Sequence, residues 1–390
     1  MNHLIFMDNF YPVAPKVIIN LYADKKNPRV SGIVSLENEI FPSDLYCYLY
    51  AKYGPPNGLQ NILRNDDSDN LIHWEWTLES SEGWISFQGM NFRTELIFFD
   101  KWNIAKISKE QLIYAIKNDF RNYGDKISDI KRNILENWDL YVNPYNQIKN
   151  ALDELMKQFN ELQLDPKNEQ IDYTELPLKY DEISSLKELG SKYSFGIGLS
   201  LAIRFIIPIL AESFINFLIF TLCESEIKNN KRVYEKYIRE NIDIKIQLLH
   251  KYCGYFTKPV QWSSQECQNY NSIINNRNDL LHGNVDLKRL KFSEVFFNGK
   301  VPIFKKYETM WQKSLGVKLD TCGMDKIKTE LDVVNKFIEH VLSHIDAKVL
   351  KEINFLMSLT EFGINRKTNK VGGLFPNHIV DFQIKRIILK

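Results

Sequence analysis

The chain has 390 residues, with 50 Lys and Arg against 49 Asp and Glu, a formal net charge of +1. That length exceeds one typical core and points to two or three domains. The near-neutral balance excludes a global basic field, so a nucleic-acid function must rest on a local site; a 44% hydrophobic and 25% charged composition excludes wholesale disorder.

The opening MNHLIFMDNFYPV lacks the basic start and the long apolar run of a signal peptide. Residues 1 to about 105 read as a β-rich module. Val17–Tyr22, Val30–Leu36 and Leu45–Tyr50 are short apolar runs of strand length. His73–Leu78, Trp84–Gly89 and Thr94–Phe99 alternate polar and apolar residues, with the turn signal Ser80-Ser81-Glu82-Gly83 after the first. Such alternation predicts an antiparallel sheet with one wet face.

From Ser108 the pattern turns helical to about Trp138, and a second helix covers roughly 144–163. The polar stretch 164–182, which holds two prolines, reads as a linker, so 106–182 is expected as a helical extension and linker. Residues 183–390 then form a helical domain with a tail. Its predicted helices are 184–192, 197–226, 230–251, 263–282 and 325–358, with Pro208 kinking or dividing the second. Residues 286–320 form a long insertion. Lys370-Val371-Gly372-Gly373 and the apolar run from Ile379 to Leu389 suit a last strand or short helix. The expected class is α+β: a β-rich N-terminal module followed by an all-helical bundle.

The run from Ile197 to Cys223 is long enough to span a bilayer. Arg204, Pro208, Glu212 and Asn216 near its middle oppose insertion, each ionised group costing about 2.5–3.5 kcal/mol. A buried helix of a soluble core, and no membrane, is therefore expected. The five cysteines, Cys47, Cys223, Cys253, Cys267 and Cys322, are odd in number and form no C-x-x-C pair. They predict neither a zinc site nor a disulfide framework, and they fit a reducing cytoplasm.

The helix over 263–282 has the clearest signals. Ser263 or Ser264 suits its N-cap, with Glu266 in the first turn, and Gly283 suits a left-handed terminator. Tyr270, Ile273, Ile274 and Leu281 suit its buried stripe. Its exit carries Arg277-Asn278-Asp279-Leu280-Leu281-His282-Gly283. Histidine titrates nearest neutral pH and suits proton transfer. Arginine offers a planar fork for phosphate oxygens. Residues five apart lie roughly 140° apart around a helix, so Arg277 and His282 do not share a face, whereas Asn278 and His282 do.

This motif resembles that of the HEPN superfamily: Arg, often followed by Asn, then His four to six residues on, at the exit of a helix. The resemblance covers these few residues directly and the helical setting of 183–358 loosely. It implies a metal-independent endoribonuclease with no cofactor, in which Arg277, Asn278 and His282 are catalytic and RNA is the substrate. It implies a homodimer in which two copies of the motif share one cleft. Glu212 on an earlier helix and Asp279 are the supporting candidates. HEPN proteins with an added N-terminal domain, such as the ApeA-like group, look like antiphage or abortive-infection effectors and toxins. In that setting the N-terminal module senses a phage-derived or nucleic-acid trigger or positions RNA. Tyrosine-modified HEPN toxins carry Tyr two residues after the His; here that position is Asn284. The alternative is a catalytically silent HEPN-like module that only dimerises or binds partners.

Weaker candidates surround the motif. Lys288, Arg289 and Lys291, with Lys300, Lys305 and Lys306, are interleaved with Phe304, Tyr307 and Trp311, which suits an RNA-guiding lip as well as a solvated loop. Arg204 and Glu212, eight apart, suit one polar pair. His340 and His344 have a metal-ligand spacing but no third ligand nearby.

Overall fold

The computed structural model describes residues 9–23, 29–59, 61, 72–100, 102, 108–165, 180–284, 291, 294–305 and 316–374, without the side chains of 21–23, 180–183 and 320. Its architecture is α+β, an N-terminal sheet region followed by a largely helical region. The chain divides into two compact units. One comprises residues up to Asp139 together with those from Gly363 onward, and the other runs from Leu140 to Phe362. The segment 106–182 is thereby shared: its first helices belong to one unit and its last to the other.

In the first unit, β1 (Tyr11–Pro12), β2 (Val30–Leu36), β3 (Trp74–Ser80), β4 (Gly83–Gly89) and β5 (Thr94–Phe99) form an antiparallel sheet ordered β1-β3-β4-β5-β2. Strand alternation sends Trp76, Leu78, Ile85, Phe87, Leu96 and Phe98 to one face. They pack there against Leu45, Tyr48 and Leu49 of α2 (Pro42–Tyr53) and against Leu112 and Ile116 of α3 (Lys109–Phe120). A short helix α4 (Gly124–Asn133) follows.

Three expectations need correction in this unit. Val17–Tyr22 lies in a helix, α1 (Pro15–Ala23), and Leu45–Tyr50 lies in α2. Each helix opens on a proline, whose fixed φ suits a first helical turn. In α2 the buried Leu45, Tyr48 and Leu49 recur at helical spacing. The second sheet face is not wet, because Glu75, Thr77, Ser86 and Glu95 on it are buried. Burial is tolerated because these groups are bonded. Ser86 Oγ donates to Glu75 Oε1 (2.7 Å) and Gln88 donates to the same oxygen (3.0 Å). Arg93 Nε donates to Glu95 (2.9 Å).

The second unit contains α5 (Pro144–Glu161), α6 (Tyr180–Leu222), α7 (Ser225–Asn229), α8 (Lys231–Arg239), α9 (Ile242–Tyr252), α10 (Gln265–His282), α11 (Val317–Cys322), α12 (Ile327–Leu342) and α13 (Ala347–Ser358). A hairpin, β7 (Val295–Asn298) with β8 (Val301–Phe304), lies in the long insertion. The chain passes between the units inside β6 (Trp138–Val142) and β9 (Glu361–Asn365), neighbours in a sheet ordered β10-β9-β6 with β10 at Val371–Gly372. The apolar run 379–389 lies outside the described residues.

The expected helices 184–192 and 197–226 are one helix, and α6 runs undivided through Pro208. It packs against α5, α10 and α12. By length and composition α6 is apolar enough to cross a membrane, and 56% of its most apolar window is buried within the protein. The expected helix 230–251 is instead two, α8 and α9, and 325–358 is α12 and α13. Asn143, fully buried, joins two of these elements. Its Oδ1 accepts from the Tyr145 and Asn146 N–H groups at the start of α5, and its Nδ2 donates to the Leu356 carbonyl in the last turn of α13 and to the Leu359 carbonyl just beyond it.

Candidate active site

Helix α10 begins and ends as its residues dictate. Ser264 Oγ accepts from the Cys267 N–H, and Glu266 stands in the first turn. At the other end Gly283 adopts φ 62 and ψ 29. The Asn284 N–H donates to the Asp279 carbonyl (2.9 Å) and the Gly283 N–H to the Leu280 carbonyl (3.4 Å), the two bonds of a Schellman motif. Asn284 Nδ2 also donates to Asp279 Oδ1 (3.0 Å). Asp279 therefore fixes the helix exit through both its backbone and its side chain.

The buried stripe of α10 is Cys267, Tyr270 and Ile273. Leu281, expected in that stripe, is 52% exposed. Eleven positions beyond Tyr270 return it to within about 20° of that residue's direction, so its exposure at the helix exit is not a change of face. The Tyr270 ring stacks on Phe337 of α12, with centroids 4.3 Å apart, and its hydroxyl donates to the Pro208 carbonyl of α6 (3.0 Å). Arg277 lies two turns beyond Tyr270 and continues the inward face. It is half-buried, and its Nε is sealed from solvent with no acceptor among the described residues. Asn278 is half-buried and His282 is exposed. One helix thus turns Arg277 inward and His282 outward.

Polar groups of α6 and α9 lead away from Tyr270 of α10. Burial pushes the Tyr270 hydroxyl pKa well up; nearby Glu212 adds to this and Arg277 opposes it. Glu212 of α6 stands 3.7 Å from Lys245 Nζ of α9, which donates to Asn216 Oδ1 (3.0 Å). Burial lowers the Lys245 pKa, and Glu212 pushes it back up. Sequence reasoning missed Lys245, because a pairing between α6 and α9 leaves no local signal. It named Asn284 only as the position where a modified Tyr is lacking, and not as a residue that bonds the exit.

Arg204 and Glu212 do not pair. Eight residues turn a helix by roughly 80° from alignment, which sends them to different neighbours. Arg204 makes a bidentate bond to Glu330 of α12, at 2.9 and 2.6 Å, and donates to the Cys322 carbonyl (2.8 Å). Lys291 is exposed and bonds Glu294 (2.7 Å), which also accepts from Lys305 (3.0 Å). Lys288, Arg289, Lys306, Tyr307 and Trp311 lie outside the described residues. His340 and His344 face each other with ring centroids 4.8 Å apart. His340 Nδ1 is 3.6 Å from Glu266, and His344 Nδ1 donates to the His340 carbonyl (2.8 Å). Among the described residues no three His, Cys, Asp or Glu side chains gather as metal ligands.

Comparison of the chain with protein-family models, with curated proteins and with solved structures found no match.

Proposed function

We propose that the protein is a HEPN-type, metal-independent endoribonuclease that acts on RNA in the cytoplasm as a homodimer, with α6 a core helix. The observation that carries this reading is the pairing of an inward Arg277, its Nε without an acceptor among the described residues, with an exposed His282 at a pinned helix exit. A guanidinium with spare donors suits the oxygens of a phosphorane. His282 takes the proton from a ribose 2′-OH or returns one to the leaving 5′-oxygen, while Asn278 shares its face of the helix. Glu212 and Asp279 act through other groups: Glu212 bears on Tyr270 and Lys245, and Asp279 holds the exit. Lys291, with Lys288 and Arg289, guides the RNA backbone toward the exit of α10. The β-rich N-terminal unit senses a phage-derived or nucleic-acid trigger in an antiphage, abortive-infection role.

The test is cleavage of RNA by purified protein in EDTA, with the product ends identified. The expected products carry 2′,3′-cyclic phosphate or 3′-phosphate and 5′-OH. His282→Ala is expected to lose most activity while keeping its melting temperature, because the side chain is exposed, and Arg277→Lys is expected to be impaired because a point charge does not reproduce a planar fork. Undiminished cleavage by both variants rejects the proposed roles. No cleavage under any condition returns the chain to a binding or dimerising module.

A further inference from the structure

Helices α6 and α9 are each followed by a cysteine, and Cys223 and Cys253 form an isolated antiparallel bridge. The Glu224 N–H donates to the Tyr252 carbonyl (2.8 Å), and the Gly254 N–H donates to the Leu222 carbonyl (2.9 Å). These bonds flank the cysteines on both sides, so the pair occupies a non-hydrogen-bonded site of the ladder. At such a site opposed Cα atoms lie about 4.5 Å apart with side chains on one face. A disulfide needs Cα atoms about 4.4–6.8 Å apart, a range that includes the usual spacing of such a site.

The side chains agree with the backbone. The two thiols act on each other, and Lys228 of α7 stands near both. The neighbouring Cys253 thiol and the Lys228 charge hold the Cys223 thiol below the ordinary range, against burial. Cys47, Cys267 and Cys322 lack this setting, and burial pushes their thiols up. Cys223 and Cys253 are 5% and 4% exposed, which admits a small oxidant rather than a bulky one.

We propose that Cys223 and Cys253 form a reversible disulfide when the protein meets hydrogen peroxide, tying the end of α6 to the end of α9. The Cys223 thiolate attacks one peroxide oxygen and displaces hydroxide, giving a sulfenic acid. The Cys253 sulfur then attacks Cys223 sulfur, loses its proton, and expels the sulfenic oxygen as water. Two thiol hydrogens and two electrons leave the protein, and one peroxide becomes two waters. A thiol reductant reverses the bond by exchange. Cross-linking restricts the unfolded chain between the two helix ends, so the oxidised protein melts higher.

The experiment treats the reduced full-length chain with peroxide, blocks remaining thiols with N-ethylmaleimide in denaturant, and maps the peptides without reduction. Of the five cysteines, Cys223 and Cys253 are expected to leave the alkylated pool together, as one cross-linked peptide that dithiothreitol restores. The melting temperature is expected to rise on oxidation and fall on reduction. In Cys253→Ser, Cys223 is expected to advance to sulfinic or sulfonic acid for want of a partner. If that variant does not fold, the wild-type map decides alone. Five alkylated cysteines after peroxide, a cross-link between two chains, or irreversible oxidation of Cys223 in the wild type would overturn the proposal.

Discussion

Gly283 shows how one residue sets the exit of α10. Its φ of 62 lies in the left-handed region, and a Cβ there would meet nothing within 4 Å. The penalty for a side chain is therefore conformational rather than steric. Gly283→Ala is expected to cost about 1–2 kcal/mol in denaturant unfolding, and Gly283→Asn less. Equal stability of all three would show that the exit does not depend on the left-handed turn. His344 offers a second residue-scale test. It is buried, and burial lowers its pKa, aided by the charges of His340 and Lys258; the bond to the His340 carbonyl and the charge of Glu266 oppose the shift. The unfolded chain then takes up this proton at higher pH than the folded one. His344 thus supports stability above its ordinary value near 6.5, and that support is lost as pH falls through the lower folded value. Between about pH 7 and pH 5 the melting temperature should fall less steeply in His344→Gln than in the wild type. Parallel curves would remove His344 from the acid response.

At the scale of elements, the bond between α6 and α12 is the most consequential polar contact. Arg204 and Glu330 are 6% and 7% exposed, and the guanidinium also bonds the Cys322 carbonyl. Removing one partner leaves a buried charge uncompensated. Arg204→Ala is expected to cost about 3–5 kcal/mol, and the pair Arg204→Met with Glu330→Leu much less than Arg204→Ala. A double variant as unstable as the single one would show that the site needs the charges themselves. Gly323 explains part of the fit: at φ 65 it approaches so closely that a Cβ would stand 2.4 Å from Arg204 Nη1. These relations across the sequence were not legible in it, whereas local ones were. The strands from Trp74 to Phe99 announced themselves by alternation, and α10 by Ser264 and Gly283. Val17–Tyr22 and Leu45–Tyr50 misled because a six-residue apolar run has no period of its own, and only the prolines before them marked a helix. The exit of α10 was readable because capping is local. The Glu212–Lys245 approach was not, because it depends on how α6 and α9 pack.

At the scale of the whole molecule, the proposed chemistry requires more than one chain. Arg277 faces inward with Tyr270, and His282 is exposed five residues later, so one copy of α10 does not aim both at one phosphate. A two-fold axis beside Asn278 solves this, because each His then meets the other chain's Arg. The active unit is expected to be a homodimer with α10 at or near the interface. Mixing wild type with an excess of His282→Ala under subunit exchange should then leave cleavage proportional to the wild-type chain, because each wild-type His still meets an intact Arg. Mixing His282→Ala with Arg277→Ala is sharper. Half of the composite sites in their heterodimer would combine an intact Arg with an intact His, so two inactive proteins should recover activity together. Light scattering beside the cleavage assay checks the assembly state. Full activity from a monomer, or no recovery from a heterodimer shown to form, would reject the shared cleft and require Arg277 and His282 to converge within one chain by unwinding the last turn of α10.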